Sequence, residues 1–196
     1  MTILVTAASG QLGRLVVESL LARGAAPADI VATARDTSKL EQFAARGIRT
    51  AELDYARPET ITAALDGVDT VLLISGSEVG HRIAQHRNVI DAARAAGVAK
   101  LVYTSAPNAT TVDYPLAPEH KATEELIAAS GVPAVILRNN WYTENYVADL
   151  RRAAARRVQP DSARPRSDGA DAAADGVGRR PRRRNARARL NLRNPS

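Results

Sequence analysis

Near the N-terminus, Thr6-Ala7-Ala8-Ser9-Gly10-Gln11-Leu12-Gly13 has the composition of a loop that holds a phosphate. It stands between a short apolar run, Ile3-Leu4-Val5, and a segment of helical periodicity that begins at Gln11. A bound pyrophosphate needs backbone amides at a helix N-terminus and a turn tight enough for close approach. Gly10 permits that approach, Gly13 lets the helix pack on the strand, and Ser9 offers a hydroxyl donor. Glycines alone carry little weight, but strand, turn and helix in this order carry more. An ordinary strand-to-helix connection without a nucleotide is the alternative.

Other residues capable of binding chemistry stand at the carboxyl ends of further apolar runs. The second run ends in Ala34-Arg35-Asp36. An acidic residue here accepts hydrogen bonds from a ribose, whereas an arginine pairs with the 2′-phosphate of NADP. Arg35 therefore points to NADP(H), Asp36 leaves NAD(H) open, and a solvated surface arginine is the bland reading. Asp54-Tyr55 follows the third run and would border the adenine. Ser75-Gly76-Ser77 follows the fourth, where small residues leave room beside a ribose and nicotinamide or simply form a loop. Arg138-Asn139-Asn140-Trp141-Tyr142 closes the sixth and carries the single tryptophan. Amides and amphipathic rings there suit a ligand shelf. They suit a helix start with packing equally well.

Proton transfer has fewer candidates. A tyrosine followed by lysine at YxxxK spacing, with the lysine lowering the phenol pKa, does not occur. His120, within Glu119-His120-Lys121, is the candidate, against a solvated helix start as the blander reading. His81 and His86 lack a carboxylate–histidine arrangement and cysteine is absent, so no metal is expected.

These positions require elements that bring them to one edge. Residues 3–5, 30–34, 49–53, 70–74, 100–104 and 134–137 read as buried strands. Helical patterns over 11–23, 37–46, 79–96 and 119–129, with a short helix after Pro58, separate them. Strands alternating with such helices predict an α/β fold, a parallel sheet covered on both faces by right-handed crossovers. Ligands bind such sheets at the carboxyl ends of the strands.

The pattern stops near Leu150. Residues 151–196 hold 14 Arg and 4 Asp with no Lys or Glu, so the formal net charge of +6 for the 196-residue chain belongs to this segment. Arg179-Arg180-Pro181-Arg182-Arg183-Arg184 could bind phosphate backbones without specificity, but no aromatic residue accompanies it for base stacking. With Leu190 and Leu192 as its only leucines, this segment is expected to lack fixed structure. No apolar run reaches the roughly 18 residues of a membrane span and no leader pattern opens the chain, so a cytoplasmic protein is expected.

VTAASGQLG resembles the GxxGxxG loop of the NmrA-like atypical short-chain dehydrogenases. LLISGSEVGHRIAQHRNVIDAARAAGV, LVYTSA, EHKATEELIAASGV and ILRNNWYTENY are similar to segments of the NAD(P)H:quinone oxidoreductase type 2 members of that group. The resemblance covers residues 1–150. It implies a Rossmann-like doubly wound parallel sheet, here truncated at its C-terminal end. It also implies Arg35 on the 2′-phosphate, Ser75-Gly76-Ser77 beside the ribose and nicotinamide, and Asn139 to Tyr142 on the nicotinamide and substrate side. Hydride would pass from NADPH to a small quinone-like acceptor, whose electrophilic ring needs no Tyr/Lys pair and whose oxygens take protons from solvent. A non-enzymatic NADP(H)-sensing regulator is the alternative, and a homo-oligomer is compatible with either. One departure stands out: Ala7 occupies a position where the family has glycine, whose backbone reaches angles alanine avoids. Family members also continue past this point with a portion that completes the substrate pocket. Here ENYVADL keeps the family register and then gives way to Arg, Ala, Pro, Gly and Asp, the vocabulary of a GC-rich coding sequence read out of frame. Residues 1–150 are thus expected to form the NAD(P)-binding domain and 151–196 an arginine-rich, out-of-frame or disordered tail.

Overall fold

The structure, a computed structural model, describes residues 1–112 and 114–158. The chain divides into two compact units, Met1–Asp149 and Leu150–Ser196. The first contains six strands: β1 (Ile3–Val5), β2 (Ile30–Ala34), β3 (Arg49–Glu52), β4 (Thr70–Leu73), β5 (Lys100–Ser105) and β6 (Ala134–Arg138). They form one sheet in the order β3-β2-β1-β4-β5-β6, with every pairing parallel. This is the Rossmann-like order, and the direction of winding reverses between β1 and β4. The register levels the strand ends, since Val5 lies opposite Ala32 and Leu72, and Ser105 opposite Arg138. The loops that follow the strands therefore open on one edge, and the crevice at the reversal is where such sheets take ligands.

Successive strand residues face opposite sides, and each side buries a different helix set. Leu4, Val71, Leu73, Leu101 and Tyr103 pack with residues of α3 (Pro58–Ala64), α4 (Arg82–Ala95) and α5 (Ala117–Ser130). Val5, Ala32 and Leu72 face the other side with Val17 of α1 (Gln11–Ala22) and Phe43 of α2 (Glu41–Ala44). Burying each large apolar side chain contributes about 1.5–3 kcal/mol, so these two layers hold the edge loops in register. On the second side no described residue covers β6: Val135 pairs in register with Val102, yet Val135 and Leu137 are exposed.

The structure corrects several boundaries. The helix expected over 37–46 is a 3-10 turn, Thr37–Leu40, followed by the short α2. Asp36 Oδ1 accepts from both the amide and the hydroxyl of Ser38, at 3.1 and 2.7 Å, which tightens the first turn. That helix-end contact also holds the Asp36 carboxyl below its usual range. The long helix expected from Val79 begins only at Arg82, after a turn closed by His81 N–H donating to the Glu78 carbonyl. The expected loss of order past Leu150 is also corrected in part, because α6 (Val147–Val158) runs through Arg151 and Arg152. The rest of the arginine-rich segment, including Arg179 to Arg184, lies outside the described residues. Among the described residues no helix is long and apolar enough to cross a membrane.

Candidate functional site

The loop after β1 meets the demands of a pyrophosphate. Gly10 takes the N-cap position of α1 with extended backbone and no side-chain cap, and no acidic residue enters the first turn. The amides of Gln11, Leu12 and Gly13 lack intrahelical acceptors and stand at the positive end of the helix dipole, an environment that favours an anion. A Cβ at Gly13 would stand 2.3 Å from the Ala7 carbonyl oxygen and 2.7 Å from Ala8 Cα. Helix and loop touch backbone to backbone.

Two other members of the loop work from beneath. Thr6 and Ala8 are wholly buried. Thr6 Oγ1 donates to the Leu72 carbonyl, accepts from the Ile74 amide, and lies 2.6 Å from the Tyr55 hydroxyl. The Ala8 amide donates to the Thr33 carbonyl at 2.7 Å. Both residues therefore brace the loop on the sheet, with their amides and the Thr6 hydroxyl bonded there. Burial also lifts the Tyr55 phenol well above its ordinary pKa, so that hydroxyl is a neutral strut.

Ala7 takes a left-handed backbone, φ 48°, as the glycine-like position requires. A left-handed alanine costs about 1–2 kcal/mol. Glycine recovers that but loses about 0.5–1 kcal/mol in backbone entropy. Ala7→Gly is thus expected to stabilise the fold by about 0.5–1 kcal/mol. The midpoint of urea unfolding reads this directly: it should rise at constant slope, and a fall would show that the methyl packs to more advantage than the turn costs.

Two cavities open along the sheet edge. The first, about 290 Å³, is lined by Ala7, Ser9, Gly10, Arg35, Asp54 and Tyr55, together with Ser75 to Glu78. The second, about 710 Å³, takes Ser75, Gly76 and Ser77 from the first and adds His120 and Asn139 to Tyr142. The predicted groups at the ends of five strands are thereby brought together. Arg138 is not among the lining residues: its guanidinium pairs with Glu124 on α5 at 2.7 Å and holds that carboxyl below its usual pKa. Gln11 and Leu12 are not among the lining residues of either cavity, and the Leu12 side chain packs against the apolar layer that contains Val17.

The shared segment hangs from the layers beneath it. Ser75 N–H donates to Thr104 Oγ1 at 2.9 Å, and Gly76 N–H donates to His86 Nε2 at 3.0 Å. An amide only donates, so His86 Nε2 is the acceptor and Nδ1 carries the proton toward Thr123 Oγ1, 2.9 Å away. The same logic fixes His120. Arg82 Nη2 donates to its Nε2 at 3.1 Å, leaving Nδ1–H for the Tyr103 hydroxyl at 2.8 Å. Burial first, and then the Arg82 guanidinium, push His86 down to about 3 and His120 down to about 4. The Tyr103 phenol is raised by burial to about 12. The solvated-helix reading of His120 is corrected: the ring is 4% exposed and neutral. Its free lone pair is occupied by Arg82, so it carries no acid proton toward the cavity and serves to orient the guanidinium.

Arg82 and Glu78 were not singled out from sequence, and His86 was weighed there only as a metal ligand. A signal existed on α4, where Arg82, Gln85 and His86 continue toward the N-terminus the buried stripe of Val89, Ile90 and Ala93. On α5, Glu119, His120 and Thr123 precede Ile127 in the same way. Polar residues extending a core stripe mark a helix end packed beside a cleft.

A doubly wound parallel sheet with an uncapped helix N-terminus at its winding reversal defines a dinucleotide-binding protein. The chain matches the family described as NAD(P)H-binding over residues 7–179 and belongs to it. It is 49% identical over 146 residues to quinone oxidoreductase 2 of Escherichia coli K12, covering 74% of this chain and 51% of that protein. It is 34% identical over 154 residues to an NmrA-like family domain-containing oxidoreductase, flvB, of Aspergillus flavus, covering 74% and 50%. Among solved structures, the NADPH complex of an E. coli NADPH-dependent quinone oxidoreductase superposes with TM-score 0.74 at 46% identity, over 79% of this chain and 54% of that one. A Citrobacter triphenylmethane reductase with NADP(H) gives TM-score 0.74 at 38% identity, over 80% and 55%. The chain thus spans about half the length of the relatives it matches. The family match continues beyond Leu150 to residue 179, into the arginine-rich segment.

Proposed function

We propose that this cleft carries hydride from NADPH to a small quinone-like acceptor. The observation that carries this reading is that Ser75, Gly76 and Ser77 line both cavities. One cavity has the anion-binding helix terminus and Arg35, and the other has an aromatic and amide lining beside the shared segment. The loop fits the cofactor physically, because Gly13 admits the backbone contact that a Cβ would prevent.

NADPH, when bound, supplies the hydride, and one proton from solvent completes reduction of the acceptor to its hydroquinone. The residues of the chain bind and orient. Amides of Gln11, Leu12 and Gly13 face the pyrophosphate, with the Ser9 hydroxyl beside them. Arg35 pairs with the 2′-phosphate and Asp54 borders the adenosine. Asn139 and Asn140 present amides to a quinone oxygen while Trp141 offers a ring face for stacking. Trp141 is 61% exposed, so solvent reaches the acceptor oxygens without a dedicated proton donor. Homologues named quinone oxidoreductase 2 and NAD(P)H azoreductase support an electrophilic aromatic acceptor.

The test is the oxidation of NADPH by the full chain with p-benzoquinone, followed by loss of reduced-nicotinamide absorbance. Quinone-dependent oxidation exceeding that of NADPH alone is the expected result. Saturable NADPH binding with no oxidation would overturn the reading in favour of a non-catalytic NADP(H) sensor.

A further inference from the structure

We propose that Glu78 tunes the preference for NADPH by holding Arg35 until a 2′-phosphate displaces it. This rests on the reading that Arg35 receives that phosphate. Arg35 follows β2 and Glu78 follows β4, and β1 lies between those strands in the sheet. Their ion pair, Arg35 Nη1 to Glu78 Oε1 at 3.0 Å, therefore straddles the mouth of the phosphate loop, and both residues line the smaller cavity. The carboxylate does not follow the guanidinium freely. Its other oxygen, Oε2, accepts from Gln85 Nε2 at 2.8 Å, and Gln85 is buried on α4.

The chemistry separates the two nicotinamide cofactors. A guanidinium prefers a phosphate, which offers more charge and a bidentate edge, so the 2′-phosphate takes Arg35 from the carboxylate. Gln85 then keeps Glu78 near the incoming dianion, where like charges repel. NADH brings only hydroxyls to this position and leaves the pair standing. Glu78 thus opposes NADPH selectively.

Glu78→Gln keeps the side-chain volume and a polar group opposite Gln85 while removing the charge. Because the pair is exposed, the gain is modest: the NADPH dissociation constant should fall about 3- to 5-fold, and that of NADH should stay within about twofold. Equilibrium titration by quenching of tryptophan fluorescence reads both without turnover, and a melting curve shows whether the variant is folded. In an Arg35→Ala background the gain from Glu78→Gln should vanish, since the coupling runs through the guanidinium. Equal tightening of both cofactors, an unchanged NADPH constant, or a gain that survives loss of Arg35 would each overturn the proposal. If Arg35→Ala leaves the ratio of NADPH to NADH affinity unchanged, the Arg35 reading itself fails, whatever Glu78→Gln does.

Discussion

Replacing Gly13 by alanine is expected to cost about 3 kcal/mol of stability, the upper range of overpacking, and to abolish measurable NADPH binding. The added Cβ would lie 2.3 Å from the Ala7 carbonyl oxygen, 2.7 Å from Ala8 Cα and 2.8 Å from the Ala7 carbonyl carbon. These are backbone atoms, and no rotamer change relieves them. The Ala8 amide is bonded to Thr33 and Thr6 is tied to Leu72 and Ile74, so the loop cannot recede into the sheet. The helix must retreat instead, which separates Val17 from the core beneath it and withdraws the amides of Gln11 and Leu12 from the cofactor. Gly10→Ala is the internal control, because its Cβ meets only the Ala7 oxygen at 3.2 Å. That variant should lose no more than about 1 kcal/mol. Urea unfolding and NADPH titration of the two variants decide the matter. A Gly13→Ala protein with the parent midpoint and affinity would show that α1 does not rest against this loop.

The central strands were legible because a buried parallel strand carries an apolar run that needs no context to recognise. By contrast, β3, Arg49-Thr50-Ala51-Glu52, and β6 lie at the sheet edges with exposed residues, which corrects the expectation of six buried strands. Ile30–Ala34 matches its expected limits, and the other strand boundaries differ by a residue at most. The loop after β1 was legible as a strand-to-helix turn because its glycines stand at fixed offsets from an apolar strand and a periodic helix. Groups whose roles depend on tertiary partners were not readable. Arg138 sits at the end of an apolar run like Arg35, yet Glu124 from the neighbouring helix claims it. Glu78 is a loop residue whose ion pair is with Arg35, distant in sequence and brought near across β1. The helix expected over 37–46 breaks because Asp36 closes a turn on Ser38, a local contact that competes with helical hydrogen bonding. His120 could be placed at a helix start by sequence, but its burial depends on how α4 packs against α5.

That packing creates an acid sensitivity. Between pH 6 and pH 4 the protein is expected to lose on the order of 4 kcal/mol of stability through His86 and His120. Their folded values, about 3 and about 4, lie below the ordinary 6.5. Near neutrality neither state binds a proton at these rings and their contribution is complete. As pH falls below 6.5 the unfolded chain takes up a proton at each ring while the folded one does not, and stability declines by about 1.4 kcal/mol per unit for each histidine. The decline ends for His120 near pH 4 and for His86 near pH 3, where the folded rings protonate too. The physical obstacle is burial first and then the Arg82 guanidinium, itself buried, 3.1 Å from His120 Nε2 and short of one partner at Nε among the described residues. Protonating His120 would turn its acceptor nitrogen into a donor facing another donor, beside a cation whose ion pair among the described residues is with Glu119 at 3.4 Å. Protonating His86 would likewise expel the Gly76 amide and loosen the segment shared by both cavities. Glu119 and Glu124 favour a charged His120, but burial and Arg82 outweigh them. Urea unfolding at stepped pH should show the decline, and His86→Gln, which retains an acceptor for Gly76 N–H, should remove about half of its slope. A midpoint unchanged between pH 6 and pH 4, or a slope unaltered in His86→Gln, would mean that these rings are not held neutral by the fold.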